Sequence, residues 1–346
     1  MRFIPFILLM ALALSGCGSD PASKNVEIDA AKLKLFKPLP AKVDVKPGGP
    51  EAERVALGRM LYYEPRLSKG HDIACNDCHM LDKYGVDNEP TSEGHKGQKG
   101  DRNSPTVYNA ALHFTQFWDG RAADVEEQAK GPILNPVEMA MPDEKRVVAV
   151  LKSIPGYVTA FKTAFPDQKD PITYDTIANA IGTFERGLLT PSRWDKFLAG
   201  DAAAITNEEK AGFNAFLEAG CQTCHMGVLV GGNLYQKMGL AKAYPELADE
   251  GRAKVTKSEG DKFFFKVPSL RNIEKTGPYF HDGKVVTLDE SVKQMGEYQL
   301  GAPLKDEQVK TITTWLKSLT GEIPADYIKK PELPPSGPNT PKPDKG

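Results

Sequence analysis

Cys75-Asn76-Asp77-Cys78-His79 and Cys221-Gln222-Thr223-Cys224-His225 are one five-residue pattern used twice, 146 residues apart. A Cys-x-x-Cys pair alone admits a disulfide, a zinc site or a thioredoxin-like redox pair. The histidine directly after each pair selects the haem c attachment signature instead. Two sulfurs bonded as thioethers along one edge of a porphyrin place the next residue beneath the iron, where its imidazole is the proximal ligand. Of the five cysteines, only Cys17 lies outside the two motifs. The pattern therefore predicts two covalently bound c-type haems, with Cys75, Cys78, Cys221 and Cys224 as attachment points and His79 and His225 as proximal ligands.

Working outward, helical signals frame both motifs. Val55, Met60, Leu61 and Tyr62 form an apolar stripe ahead of the first. Ahead of the second, Thr206-Asn207-Glu208-Glu209 is a capping box, followed by Phe213, Phe216 and Leu217 at helical spacing. After it, Asp306 is placed to cap a helix bearing Val309, Ile312, Trp315, Leu316 and Leu319, and Gly321 to stop it. Between the motifs, Val147, Val148, Leu151 and Ile154 make one helical face, and Ile177, Ile181, Phe184 and Leu188 another. Strand-like alternation is rare, and 31 Gly and 27 Pro point to long loops. Such loops are unusual unless they wrap something large, such as a cofactor. The expected fold is mainly α, with two cytochrome c-like haem domains, 51–199 and 200–325.

The ends read differently. Arg2 followed by an apolar run over 3–14 suits a signal-peptide core and is too short to span a bilayer. Leu14-Ser15-Gly16-Cys17 resembles a bacterial lipobox, which makes 1–17 a lipoprotein signal and Cys17 the lipidated residue. The competing reading is an ordinary cleaved signal; either places the mature chain in or facing the periplasm. Residues 18–50 read as a tether. The Pro-rich tail, 326–346, is expected to be extended and weakly ordered. With 44 Lys plus Arg against 46 Asp plus Glu, the net charge of −2 gives no basic excess for nucleic acid.

The distal side of each iron needs a candidate ligand. Met80 and Met226 adjoin the motifs and lie on the proximal side, so neither can reach it. For the second haem, Met238, His281 and Met295 remain; Met295 precedes the terminal helix, the usual cytochrome c order. For the first, the candidates are His95, His113, Met139 and Met141. His95 sits in the Gly-bracketed Gly94-His95-Lys96-Gly97, a segment able to approach and withdraw.

Further segments carry a resemblance. Arg102-Asn103-Ser104-Pro105-Thr106, Gln116-Phe117-Trp118-Asp119-Gly120-Arg121, Glu127-Gln128-Ala129 and Asn135-Pro136-Val137-Glu138-Met139 stand in the first half. Pro268-Ser269-Leu270-Arg271-Asn272, Pro278-Tyr279-Phe280-His281-Asp282-Gly283 and Met295-Gly296 stand in the second. With the two haem motifs, and in this order, they resemble the bacterial di-haem cytochrome c peroxidases from about residue 50 to 321. The resemblance implies that His79 and His95 ligate a low-potential, peroxide-reacting haem, and that His225 and Met295 ligate a high-potential, electron-accepting haem. It implies that Trp118 is an electron relay between them and that Glu138 and Gln128 are the acid/base and its polar companion. It also implies a Ca²⁺ site made by Asn103 with the carbonyls of Thr276 and Pro278. The methylamine-utilisation branch of the superfamily has a tyrosine where Met295 stands. The partners implied are hydrogen peroxide and a periplasmic donor such as a monohaem cytochrome c; a second copy of the chain is a candidate partner. The rival function is a di-haem electron carrier that turns over no peroxide, and a haem-based redox sensor is a third class. Glu138 and Gln128 favour the peroxidase, because a carrier has no need of them.

Overall fold

A computed structural model describes residues 25–345; Cys17 and the lipobox lie outside the described residues. The architecture is mainly helical, and its one sheet among the described residues is a two-stranded antiparallel pair, Tyr235–Lys237 with Phe264–Lys266. The helices sort into two packed groups, one around each Cys-x-x-Cys-His motif.

In the first group, helix Glu51–Tyr62 packs along helix Tyr174–Glu185. The contact depends on Gly58, where a Cβ would lie 1.9 Å from the Ala180 carbonyl oxygen. Leu57 and Leu61 are buried there with Ile177 and Ile181, and Val147, Leu151, Ile154 and Phe161 extend the same core. The two helical faces read from the sequence thus face inward.

The second group repeats the device. Helix Asn207–Glu218 packs on helix Asp306–Lys317, and at Gly212 a Cβ would lie 2.2 Å from the Thr311 carbonyl oxygen. Phe213, Phe216, Trp194 and Trp315 fill the crossing with tilted and edge-on ring contacts 4.6–5.4 Å between centroids. The capping box forms: Thr206 Oγ accepts from the Glu209 N–H, and the Glu209 carboxylate accepts from the Thr206 N–H.

Two terminal-helix expectations are corrected. Asp306 is the first helical residue rather than the cap, and its carboxylate pairs with Lys293 at 2.8 Å. The orphan Lys305 N–H is instead accepted by the Gln308 side chain. The helix ends at Lys317, before Gly321. Gly321 is needed for a close approach, since its Cβ would lie 1.9 Å from the Thr190 carbonyl oxygen.

The flanking segments are tied down more than their composition suggested. Within the expected tether, Phe36 is buried edge-on against Trp194 and Phe213, and the Leu39 N–H donates to Asp195. Burying one such ring contributes about 1.5–3 kcal/mol toward holding this polar segment down. The Pro-rich tail is extended but runs back over the first helical group. There Ile328 is buried, Arg66 donates to the Pro334 carbonyl, and the Asp344 N–H donates to the Lys69 carbonyl.

Candidate haem centres and the wall between them

Each motif folds into a tight turn that a few hydrogen bonds define. In the first, the Ala74 N–H donates to the Asp77 carboxylate and the His79 N–H to the Cys75 carbonyl. Tyr62, at the end of the entry helix, donates its hydroxyl to the His79 carbonyl. In the second, Gly220 at φ 87° turns the chain out of helix Asn207–Glu218, and the His225 N–H closes onto the Cys221 carbonyl. None of the four sulfurs is in a disulfide. Burial pushes the Cys78 thiol up to about 11 and the Cys221 thiol up to about 12.

Beside each turn is a cavity, of about 220 Å³ at the second motif and about 170 Å³ at the first. Cys75, Cys78 and His79 line one; Cys221, Cys224 and His225 line the other. Both histidines are half-buried on the walls of their cavities, and burial holds His225 down to about 4 and lowers His79 as well. A neutral imidazole is the ligating form. His225 Nδ1 lies 3.3 Å from the Val230 carbonyl, which fixes the ring and leaves Nε2 for a metal. A buried, mostly apolar cavity with two thiols and one neutral imidazole on its wall fits a haem at both places.

The first cavity also collects Gln128, Glu138, Phe117, Arg121 and Trp118. Glu138 is held by Asn135, whose Nδ2 donates to Oε1 at 2.6 Å. Burial raises the Glu138 carboxyl above its ordinary value, against the opposing pull of Arg121 and Asn135. Arg121 lies 3.4 Å over the Phe117 ring and pairs with Asp119 at 3.0 Å. Gln128 comes from helix Val125–Leu134, and Glu138 from the turn after it.

His95 is buried, and the preceding Gly94 lines the cavity. The His95 N–H is shared by the carbonyls of Val137 and Glu138 at 3.1 and 2.8 Å, and Gly94 donates to the Gln98 carbonyl. A Cβ on Gly94 would lie 2.1 Å from the Val137 oxygen, so only glycine permits this docking. Loop 94–98 is therefore clamped to the backbone of the turn that carries Glu138. Of the other candidates, Met139 and His113 reach this cavity, and Met141 packs in the core.

Met295 lines the second cavity, as do Met238 and His281. Met295 opens a π-helical turn, Met295–Gln299, directly after helix Leu288–Gln294. Such turns are frequent at functional sites because they displace a side chain from its helical position. His281 is stacked on Phe265 at 4.3 Å, and its carbonyl accepts from the Asn103 N–H.

Trp118 lines both cavities. Its indole N–H donates to the Asn103 carbonyl at 2.9 Å, and its own carbonyl accepts from Lys266 N–H at 2.7 Å. Asn103, Thr276 and Pro278 stand together on the wall of the second cavity, and Asn103 Nδ2 donates to the Glu89 carbonyl. No cluster of three or more His, Cys, Asp or Glu that could hold a metal occurs among the described residues. A cation here would rest on amide and carbonyl oxygens, which suit Ca²⁺.

Residues 52–203 match the di-haem cytochrome c peroxidase family. The chain is 45% identical to cytochrome c551 peroxidase of Pseudomonas aeruginosa, over 89% of this chain and 90% of that one. It belongs to this family. Cytochrome c551 peroxidase of Nitrosomonas europaea is 48% identical over 84% of this chain and 86% of its own. Among solved structures, a MauG-like protein associated with microbial copper homeostasis superposes with a TM-score of 0.74 at 28% identity, covering 85% of this chain and 98% of that one. Membership of the family gives the protein two haems and supports the fold class read from the sequence. Arg121 and Asn135 are the residues that sequence reasoning passed over. Their signal lay in the quoted segments, where each stands two or three residues from Asp119 or Glu138.

Proposed function

We propose that the protein reduces hydrogen peroxide to water with electrons from a small periplasmic cytochrome, and that both haems are bound covalently. The observation that carries this reading is the placing of Glu138, Gln128 and Arg121 on the cavity wall that also presents His79. A pure electron carrier needs an insulated edge and no acid, base or cation beside the iron. Haem iron, when bound, supplies the electrons and the site at which peroxide is cleaved. The chain's own residues do the rest. Glu138 accepts the proton from the near peroxide oxygen and returns it to the far one, so that the leaving group departs as water. Its raised affinity for protons suits this exchange. Gln128 offers an amide to orient the peroxide, and Arg121 favours negative charge developing there. Trp118 offers an aromatic path through the wall that both cavities share. Access for peroxide would require His95 to stand off the iron, and loop 94–98, held on the Glu138 turn, is the segment that would move. Donor-coupled peroxide consumption tests the reading. It predicts continuous oxidation of reduced monohaem cytochrome c, two per peroxide, whereas a carrier would stop after filling its own haems.

Met295 is the proposed distal ligand of the second haem, and Asn103 with the Thr276 and Pro278 carbonyls the Ca²⁺ site. Composition checks both cofactors together. A pyridine haemochrome assay should give about two c-type haems per chain that survive acid-acetone extraction, and metal analysis should show Ca²⁺ removable by chelation. A value near one haem would contradict covalent attachment at both motifs.

The chain is further proposed to be a periplasm-facing lipoprotein anchored through Cys17, on the strength of Leu14-Ser15-Gly16-Cys17. Stable anchoring takes more than one acyl chain. Mass spectrometry of the mature N-terminus should find a multiply acylated Cys17; an unmodified N-terminus beyond it would refute the anchor.

A further inference from the structure

Strand Phe264–Lys266 ends at a lysine with an unusual position. Lys266 is 5% exposed and lines both cavities, as does His113. Its Nζ lies 2.5 Å from His113 Nδ1. Two cations cannot sit at that distance, so His113 accepts through Nδ1 and carries its proton on Nε2. His113 Nε2 is itself buried without a partner, and Gly232 packs so tightly that a Cβ would lie 2.8 Å from His113 Cδ2. The imidazole therefore acts as a fixed rest for the ammonium.

An ammonium has three donors, and only one is used here. The carboxylate that acts on its charge, Asp119, is engaged by Arg102 at 2.6 Å and by Arg121. Burial pushes Lys266 down to about 7, with Asp119 opposing. A buried ammonium with no anion is costly, and so is a buried carboxylate with no cation. A haem brings two propionate carboxylates into its cavity, and each needs such a partner.

We propose that Lys266, oriented by His113, is a carboxylate-binding site in the wall between the two cavities and takes a haem propionate. This rests on the two-haem reading above. The site sits behind Trp118, to whose carbonyl the Lys266 N–H is bound, so one short segment holds both the proposed relay and the charge that sets the haem beside it. A positive charge at a propionate disfavours the more positive ferric state. Lys266 thus raises the reduction potential of the haem that it binds.

Haem content is measured first, because a chain with fewer than two haems fails the two-haem reading and not this site. In a crystal structure of the unaltered holoprotein, a propionate oxygen should lie about 3 Å from Lys266 Nζ. Lys266→Met should move the reduction equilibrium of at least one haem tenfold or more toward the ferric state, about 59 mV for one electron. Lys266→Arg, which keeps the charge, should stay within about threefold of the unaltered protein. Propionates held elsewhere in the crystal, or a Lys266→Met holoprotein with both potentials unchanged, would overturn the proposal. Should Lys266→Met fail to fold, the crystal structure of the unaltered protein decides alone.

Discussion

Peroxide turnover by the Glu138→Gln holoprotein should fall by about two to four orders of magnitude, the usual range for losing a positioned acid/base. The substitution keeps volume and the hydrogen bond from Asn135 within reach, so both haem spectra should be unchanged. What it removes is a carboxyl whose proton affinity burial raises and Arg121 lowers. That balance also sets a pH dependence. Glu138 must be ionised to accept the first proton, so activity should decline as pH falls through its raised pKa, at higher pH than for an ordinary glutamate. Arg121→Met removes a charge that holds this pKa down, and should move the acid limb further up. The limb should vanish from the residual activity of Glu138→Gln. Near-normal turnover in that variant would assign the proton transfer to another group.

Met295→His should lower the potential of the second haem by a sizeable part of the roughly 0.8 V that axial ligation spans. The thioether favours Fe(II), and imidazole does not. The prediction separates Met295 from Met238 on the same wall. Met238→His should leave the potential nearly unaltered, because Met238 is not the proposed ligand. A redox titration showing the reverse pattern would move the ligand to Met238. In either variant the first haem should titrate as in the unaltered protein.

The parts of this molecule that were legible in the sequence are those fixed by local chemistry. The Cys-x-x-Cys-His turns are such parts, since attachment and proximal ligation lie within five residues. So are the capping box at Thr206 and the inward faces carrying Val147, Leu151, Ile177 and Ile181, where spacing alone decides burial. The lone Phe36 was hidden by the polar segment around it, and its role depends on Trp194 and Phe213, far along the chain. The contact of Lys266 with His113 spans 153 residues and leaves no local pattern at all. Gly58 and Gly212 are a middle case: both stand inside helices, where glycine is unfavourable, but the carbonyls that they admit become evident only when the partner helix is in place. His95 was named from its glycine-bracketed setting, yet the contacts that hold its loop come from a turn far along the chain. Here the Val137 and Glu138 carbonyls hold it.

That loop gives a view of how access and chemistry are linked. The backbone clamping His95 belongs to the turn that presents Glu138, so in the proposed mechanism movement of one displaces the other. A ligand can shift such an equilibrium only by binding the two arrangements unequally. Peroxide that needs Glu138 in place would favour the withdrawn loop, and an imidazole returned to the iron would oppose it.

The central claim, that this chain itself reduces peroxide, is tested most directly without any donor present. The holoprotein, with both haems reduced anaerobically, is mixed with one equivalent of hydrogen peroxide, and both haem spectra are followed in time. Reduction of peroxide takes two electrons and two protons, so the account predicts that one peroxide reoxidises both haems completely and rapidly in the unaltered protein, and far more slowly in Glu138→Gln. Haems that stay reduced, or that reoxidise equally slowly in both proteins, would contradict it and leave the electron carrier as the better description.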